Sequence, residues 1–87
     1  MNSLQKKEYI EQSHSLKPIL QIGKQAITPA VVEELSKHLK KRKLIKVKFL
    51  KNCLDEFDKQ SLCQEICQKT GATLVRSIGN IVILHKQ

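Results

Sequence analysis

Eighty-seven residues make one small domain, able to bury roughly 60 to 65% of the surface its unfolded chain exposes, which leaves one modest core and no room for a large catalytic cleft. Sixteen Lys and Arg against eight Asp and Glu give a formal charge of +8 and a pI near 9.6, so the expected partner is anionic: RNA, DNA, a membrane surface or an acidic protein. The longest strongly apolar run, Ile81-Val82-Ile83-Leu84, is far short of the roughly 20 residues of a membrane span. With an odd set of three cysteines and the polar opening Met1-Asn2-Ser3-Leu4-Gln5-Lys6-Lys7, the expectation is a soluble, reduced, cytoplasmic protein away from membranes.

The first predicted element is a short helix over residues 3 to 13, opened by Ser3 and rich in helix formers, but with a poor apolar stripe of Leu4, Tyr9 and Ile10. Ser13, Ser15 and Pro18 end it, and Ile19, Leu20 and Ile22 read as a short buried strand closed by Gly23. The second helix is the best signalled. Thr28 is its N-cap, Pro29 takes the first helical position, and Glu33 and Glu34 lie near the positive end of the dipole. Ile27 can staple on Val32, Val31, Leu35 and Leu39 form the core stripe, and Lys40, Lys41, Arg42 and Lys43 load the C-terminal end, so the helix is predicted over about 29 to 41.

From Leu44 to Leu50 the period changes to two, with Ile45, Val47 and Phe49 on one face and Lys46 and Lys48 on the other. That is the pattern of a strand covered on one side. Asp55, Glu56 and Asp58 are expected to open a third helix over about 56 to 70, with Leu62, Cys63, Ile66 and Cys67 as its stripe and Gly71 as its stop. Thr73 to Ile78 and Ile81 to His85 then form a hairpin around Gly79-Asn80. The order is α-β-α-β-α-β-β over a single domain, residues 1–87. The crossover rule makes the first two strands parallel if they share a sheet, and the last pair antiparallel.

No local spacing assembles a nucleophile, base and orienting acid, and His14, His38 and His85 fall on three different elements, so a non-catalytic binding protein is expected. Cys63 and Cys67 stand one helical turn apart without the partner pair of a structural zinc site; they read as buried small hydrophobes, and Cys53 as a loop residue. The turn Gly23-Lys24-Gln25-Ala26 is neither a Walker motif nor a dinucleotide fingerprint, yet a lysine-tipped loop at a helix N-terminus can seat a phosphate. Lys37, Lys40, Lys41, Arg42, Lys43, Lys46, Lys48 and Lys51 follow within a stretch free of acids. Some of these complement the helix dipole, but Lys46, Lys48 and Lys51 lie where no dipole needs them. Tyr9, Phe49 and Phe57 are the only aromatics, too few for a sheet or barrel that stacks successive bases, so recognition is expected to use the backbone and shape of the ligand. About five neutralised phosphates correspond to a salt slope near −3.5.

The segments Leu16 to Thr28, Leu44-Ile45-Lys46-Val47-Lys48, Thr70-Gly71-Ala72 and Ile78-Gly79, in this order and spacing, resemble the CRM domain (chloroplast RNA splicing and ribosome maturation) in its stand-alone YhbY-like form. The resemblance covers nearly the whole chain. It implies a compact α/β fold with a mixed four-stranded sheet, similar to the C-terminal domain of bacterial translation initiation factor three. It also implies RNA binding in association with precursors of the large ribosomal subunit. The family's loop carries a Gly-x-x-Gly pattern comparable to that of KH domains; Gly23, Lys24 and Gln25 match it, while the second glycine is Ala26 here, whose Cβ resists the positive φ that glycine permits.

The expected RNA-binding residues are therefore Gly23, Lys24, Gln25 and Ala26 in the turn, Lys40, Lys41, Arg42, Lys46 and Lys48 on a broader basic surface, and Arg76 from the closing hairpin. The expected partner is RNA, in particular precursor ribosomal RNA or the pre-large subunit, with no small-molecule cofactor. The competing readings are a module that docks an acidic protein through its basic face and a duplex DNA binder that uses the second helix.

Overall fold

The structure, a computed structural model, describes residues 2–87 and contains eight elements: α1 (Ser3–Ser13), β1 (Leu20–Ile22), α2 (Pro29–Arg42), β2 (Leu44–Phe49), α3 (Lys51–Glu56), α4 (Lys59–Thr70), β3 (Thr73–Ile78) and β4 (Ile81–His85). The four strands form one mixed sheet in the order β1-β2-β4-β3. β1 pairs parallel to β2, as the helical crossover through α2 requires, and β4 runs antiparallel to both β2 and β3.

Strand periodicity sorts the core into two layers. Ile45, Val47 and Phe49 of β2 and Val82 and Leu84 of β4 point to one face, where they are buried against Leu35 and Leu39 of α2 and Leu62, Cys63 and Ile66 of α4. The opposite face is partly covered too. There Leu44, Val75 and Ile83 pack beneath Tyr9, Ile10 and Leu16 of α1 and the segment after it. The unbroken apolar run of β4 is explained by this arrangement, since a strand covered on both faces has no polar side to show. The alternation in β2 had implied a sheet covered on one side; α1 covers part of the second side, and Lys46 and Lys48 are accordingly half-buried.

The third predicted helix is corrected to two. Phe57 adopts an extended conformation, and the Asp58 carboxylate accepts the Ser61 amide at 3.0 Å, which starts α4 at Lys59. Asp55 and Glu56 belong to the exposed end of α3 and do not open α4. Nothing local announces α3, whose N-cap is Leu50 without a side-chain acceptor; it is held by burial of Cys53, which is fully buried and not a loop residue as its sequence context implied. Smaller shifts occur elsewhere. Asn2, not Ser3, caps α1 through a reciprocal pair with Gln5 (2.8 and 3.3 Å), α2 continues to Arg42, and β1 begins at Leu20 although the Ile19 amide already donates to the Lys46 carbonyl at 2.9 Å.

Candidate nucleic-acid interface

β1 ends at the buried Ile22, whose carbonyl accepts the Leu50 amide at 2.9 Å, so the residues that follow β1 lie beside those that follow β2. The chain then turns over Gly23, Lys24, Gln25 and Ala26, closed by donation from the Ala26 amide to the Gly23 carbonyl at 2.9 Å. Ala26 has φ 57°, the left-handed conformation that costs an L-residue roughly 1 to 2 kcal/mol. The residue is nevertheless only 8% exposed and part of the main core, and burial of one methyl group offsets about 0.8 kcal/mol. Ala26 thus holds the conformation that glycine would supply in the Gly-x-x-Gly pattern, and the turn survives the replacement.

Gly23 has the reverse character. Its φ is not left-handed, and a Cβ there would meet Leu50 Cδ1 at 3.6 Å and Asn52 Oδ1 at 3.9 Å, ordinary van der Waals distances. Backbone geometry does not demand glycine at this position. Lys24 and Gln25 are exposed at the tip, and the turn, together with Gln21, Thr28 and Val31, lines a shallow cleft of about 270 Å³.

The N-terminus of α2 contributes few donors to that cleft. Pro29 has no amide proton, the Val31 amide donates to the Thr28 hydroxyl at 3.2 Å, and the Val32 amide donates to the Thr28 carbonyl at 3.1 Å, which leaves the amide of the exposed Ala30. A phosphate here would rest chiefly on the turn and on Lys24.

The expected site residues separate into three places. Lys40, Lys41 and Arg42 lie at the far end of the 14-residue α2, about 20 Å from the turn, where Lys43 (φ 62°) caps the helix and its carbonyl accepts the Lys86 amide. Exposed Glu33 and Glu34 lie on α2 between the two ends. Lys46, Lys48 and Arg76 come together on the α1 side of the sheet: Ile83 pairs with both Lys46 and Arg76, and Lys48 pairs with Gln21 on one side and Ile81 on the other. The bulge between Leu74 and Arg76 brings Arg76 to that face. Sequence reasoning left out Asn52, which lies beside Gly23, although parallel pairing of the first two strands brings the segments after them together.

Among the described residues the basic side chains within 4 Å of a carboxylate are His38 (to Glu34, 3.4 Å) and Lys69 (to Glu65, 2.7 Å), both within helices, so the cations of the turn, the α2 terminus and the sheet face have no carboxylate partner. All three cysteines are free thiols. Burial pushes the thiols of Cys53, Cys63 and Cys67 above their ordinary range, which keeps them protonated and weakly nucleophilic near neutral pH. Cys63, placed as a buried hydrophobe by its spacing, is buried; Cys67 is half-buried and borders an apolar hollow with Leu74. No cluster of three or more potential metal ligands occurs among the described residues, and no helix there is long and apolar enough to cross a membrane.

Comparison with known proteins accords with this architecture. The profile of the CRS1 / YhbY (CRM) domain matches residues 1–86. The protein named "Probable RNA-binding protein YqeI" of Bacillus subtilis is 34% identical over 83 residues, covering 95% of this chain and 84% of that protein. "Probable RNA-binding protein PA4753" of Pseudomonas aeruginosa is 32% identical over 83 residues, covering 95% and 78%. The solution structure of the hypothetical protein SAV1595 from Staphylococcus aureus superposes with a TM-score of 0.82 at 28% identity, covering 100% of this chain and 88% of that one. With a profile match along almost its entire length and relatives of this similarity, the chain belongs to the CRS1 / YhbY (CRM) domain family.

Proposed function

We propose that this protein is a non-catalytic RNA-binding domain that assists assembly of the large ribosomal subunit in the cytoplasm. The observation that carries RNA binding is the Gly23–Ala26 turn: a left-handed Ala26 anchored in the core holds Lys24 exposed beside a cleft, in a chain whose relatives bear the name of RNA-binding proteins. The unpaired cations supply the long-range attraction, and the turn supplies a fixed place for one phosphate. Absence of an acid–base or nucleophilic cluster in the sequence supports a binding role, and the resemblance to stand-alone CRM domains supports precursor ribosomal RNA as the target. Glu33 and Glu34 on the exposed part of α2 oppose the insertion of that helix into a DNA groove, because phosphates flank the groove on both sides.

Competition binding at physiological salt tests the RNA reading. Structured ribosomal RNA is expected to displace a labelled RNA much more effectively than duplex DNA; equal competition by duplex DNA sinks the reading, and an acidic protein partner is favoured if neither nucleic acid binds. Crosslinking in cells, followed by sequencing of the bound RNA, tests the ribosomal assignment, with enrichment of large-subunit precursor RNA as the expected result.

A further inference from the structure

We infer that the part of the sheet face left open by α1, where Lys46, Lys48 and Arg76 border Ile78 and Ile81 with Gln21 on the adjoining edge strand, seats unpaired nucleotides of an RNA strand whose backbone is also held at the Lys24 turn. This inference rests on the RNA-binding reading and specifies which part of the RNA is bound and where. The register defines the surface. One cross-strand row is Lys46, Ile83 and Arg76; the next, nearer the turn, is Gln21, Lys48, Ile81 and Ile78. α1 packs over Leu44, Val75 and Ile83, whereas Ile78 remains 48% exposed and Ile81 belongs to neither core cluster.

Three features of this face select its occupant. No acidic residue occurs in any of the four strands, so the cations of this face meet no opposing charge from the sheet itself. Lys46 and Lys48 are two residues apart on one strand, about 7 Å, and Arg76 lies two strand spacings from Lys46, about 10 Å, which places cations on two sides of an apolar patch and not in a line. Exposed isoleucine in that patch has no use for a phosphate, but it suits the face of a base. A perfect A-form duplex keeps its base faces stacked inside and offers a protein surface only phosphates, riboses and minor-groove base edges, so the apolar patch can meet the face of a base only where nucleotides are unpaired. Gln21 adds an amide able to donate to and accept from a base edge, and it also lines the cleft of the Lys24 turn, which makes the two surfaces continuous.

The separation of an apolar patch from the cations beside it yields a two-part test. The intact chain and its Ile78→Thr, Arg76→Gln and Lys24→Glu variants are titrated at several salt concentrations against a 12-nucleotide single-stranded RNA and a perfect duplex containing the same sequence. Ile78→Thr keeps a β-branched strand residue at an exposed position, and an unchanged melting temperature checks its fold. It is expected to weaken single-strand binding about fivefold at every salt concentration, with the salt slope and duplex affinity unchanged. Arg76→Gln is expected to lower the single-strand salt slope by about 0.7, the value of one phosphate contact. The inference is overturned if Ile78→Thr leaves single-strand affinity unchanged or weakens duplex binding equally while Lys24→Glu still impairs binding. An intact chain that binds neither RNA overturns the RNA-binding reading itself and this inference with it.

Discussion

The two ends of α2 present positive charge in opposite ways. At the N-terminal end a single cation, Lys24, stands on a turn closed by the Ala26–Gly23 hydrogen bond and pinned by a buried methyl group. At the C-terminal end Lys40, Lys41, Arg42 and Lys43 are all exposed and stand on a helix terminus whose dipole favours them without any ligand. Both ends carry a non-glycine residue in the left-handed region, Ala26 at φ 57° and Lys43 at φ 62°, but Ala26 is anchored in the core and Lys43 is not. Charge density is therefore greatest at one end, and core packing fixes the backbone at the other.

The largest effect expected from this contrast is on stability. Ala26→Val places a β-branched residue in the left-handed region inside a packed layer and should cost about 3 kcal/mol, whereas Lys43→Val, with the same backbone strain at an exposed cap, should cost about half as much. Urea unfolding of the two variants measures both. Equal losses would show that the core does not hold the turn as described.

RNA affinity gives the next comparison. Lys24→Glu should weaken binding about tenfold at moderate salt and Lys41→Glu about threefold, with both reducing the salt slope. A larger effect at Lys41 would transfer the site to the charge-dense end. Replacement by glycine is subtler: Lys43→Gly should stabilise the protein by about 1 kcal/mol because strain is relieved at no packing cost, while Ala26→Gly should change stability by less than about 0.5 kcal/mol as lost burial offsets the relief. Thermal or urea unfolding again decides.

Gly23→Ala should leave stability within about 0.5 kcal/mol, since the added Cβ meets only ordinary contacts, and yet lower RNA affinity if a phosphate approaches the backbone there. Unchanged affinity would remove Gly23 from the interface.

The smallest expected effect concerns the thiols and reaches neither end of α2. Their folded pKa values are raised by burial, so the unfolded chain releases these protons first. The stability they contribute is complete below the ordinary thiol range and is lost as pH rises from there toward the folded values. Cys53→Ala should reduce that alkaline loss in urea titrations compared across pH 7 to about 10, without changing the neutral-pH response to salt.

Much of the fold was legible where several local signals agreed. Thr28, Pro29 and the Val31, Leu35, Leu39 stripe specified α2 almost to the residue, and Gly79-Asn80 between two β-rich runs specified the hairpin. The helix predicted over 56 to 70 is α4, which starts later, at Lys59, and the short α3 before it went unread because local and tertiary demands diverged there. α3 has no cap and little amphipathic pattern, and exists because Cys53 fills a place in the core, which sequence periodicity does not report. The candidate site could be read only as a set of residue types, among them the turn lysine. It was not legible as an arrangement, because Lys24 and Lys41 look close in the chain yet stand at opposite ends of a helix, while Lys46 and Arg76, thirty positions apart, share a cross-strand row with Ile83.

By itself, then, the sequence determined the net charge, the scarcity of aromatic platforms, the order of the strongly signalled elements and the presence of a lysine-tipped turn between β1 and α2, since each of these depends on residue identity or local spacing. Only the tertiary structure decided that Ala26 can occupy the left-handed position of a glycine, because the compensating burial of its methyl comes from distant residues. It also decided that the cations divide among three surfaces, because strand register and helix length set which side chains meet, and neither is written in the residues that carry the charge.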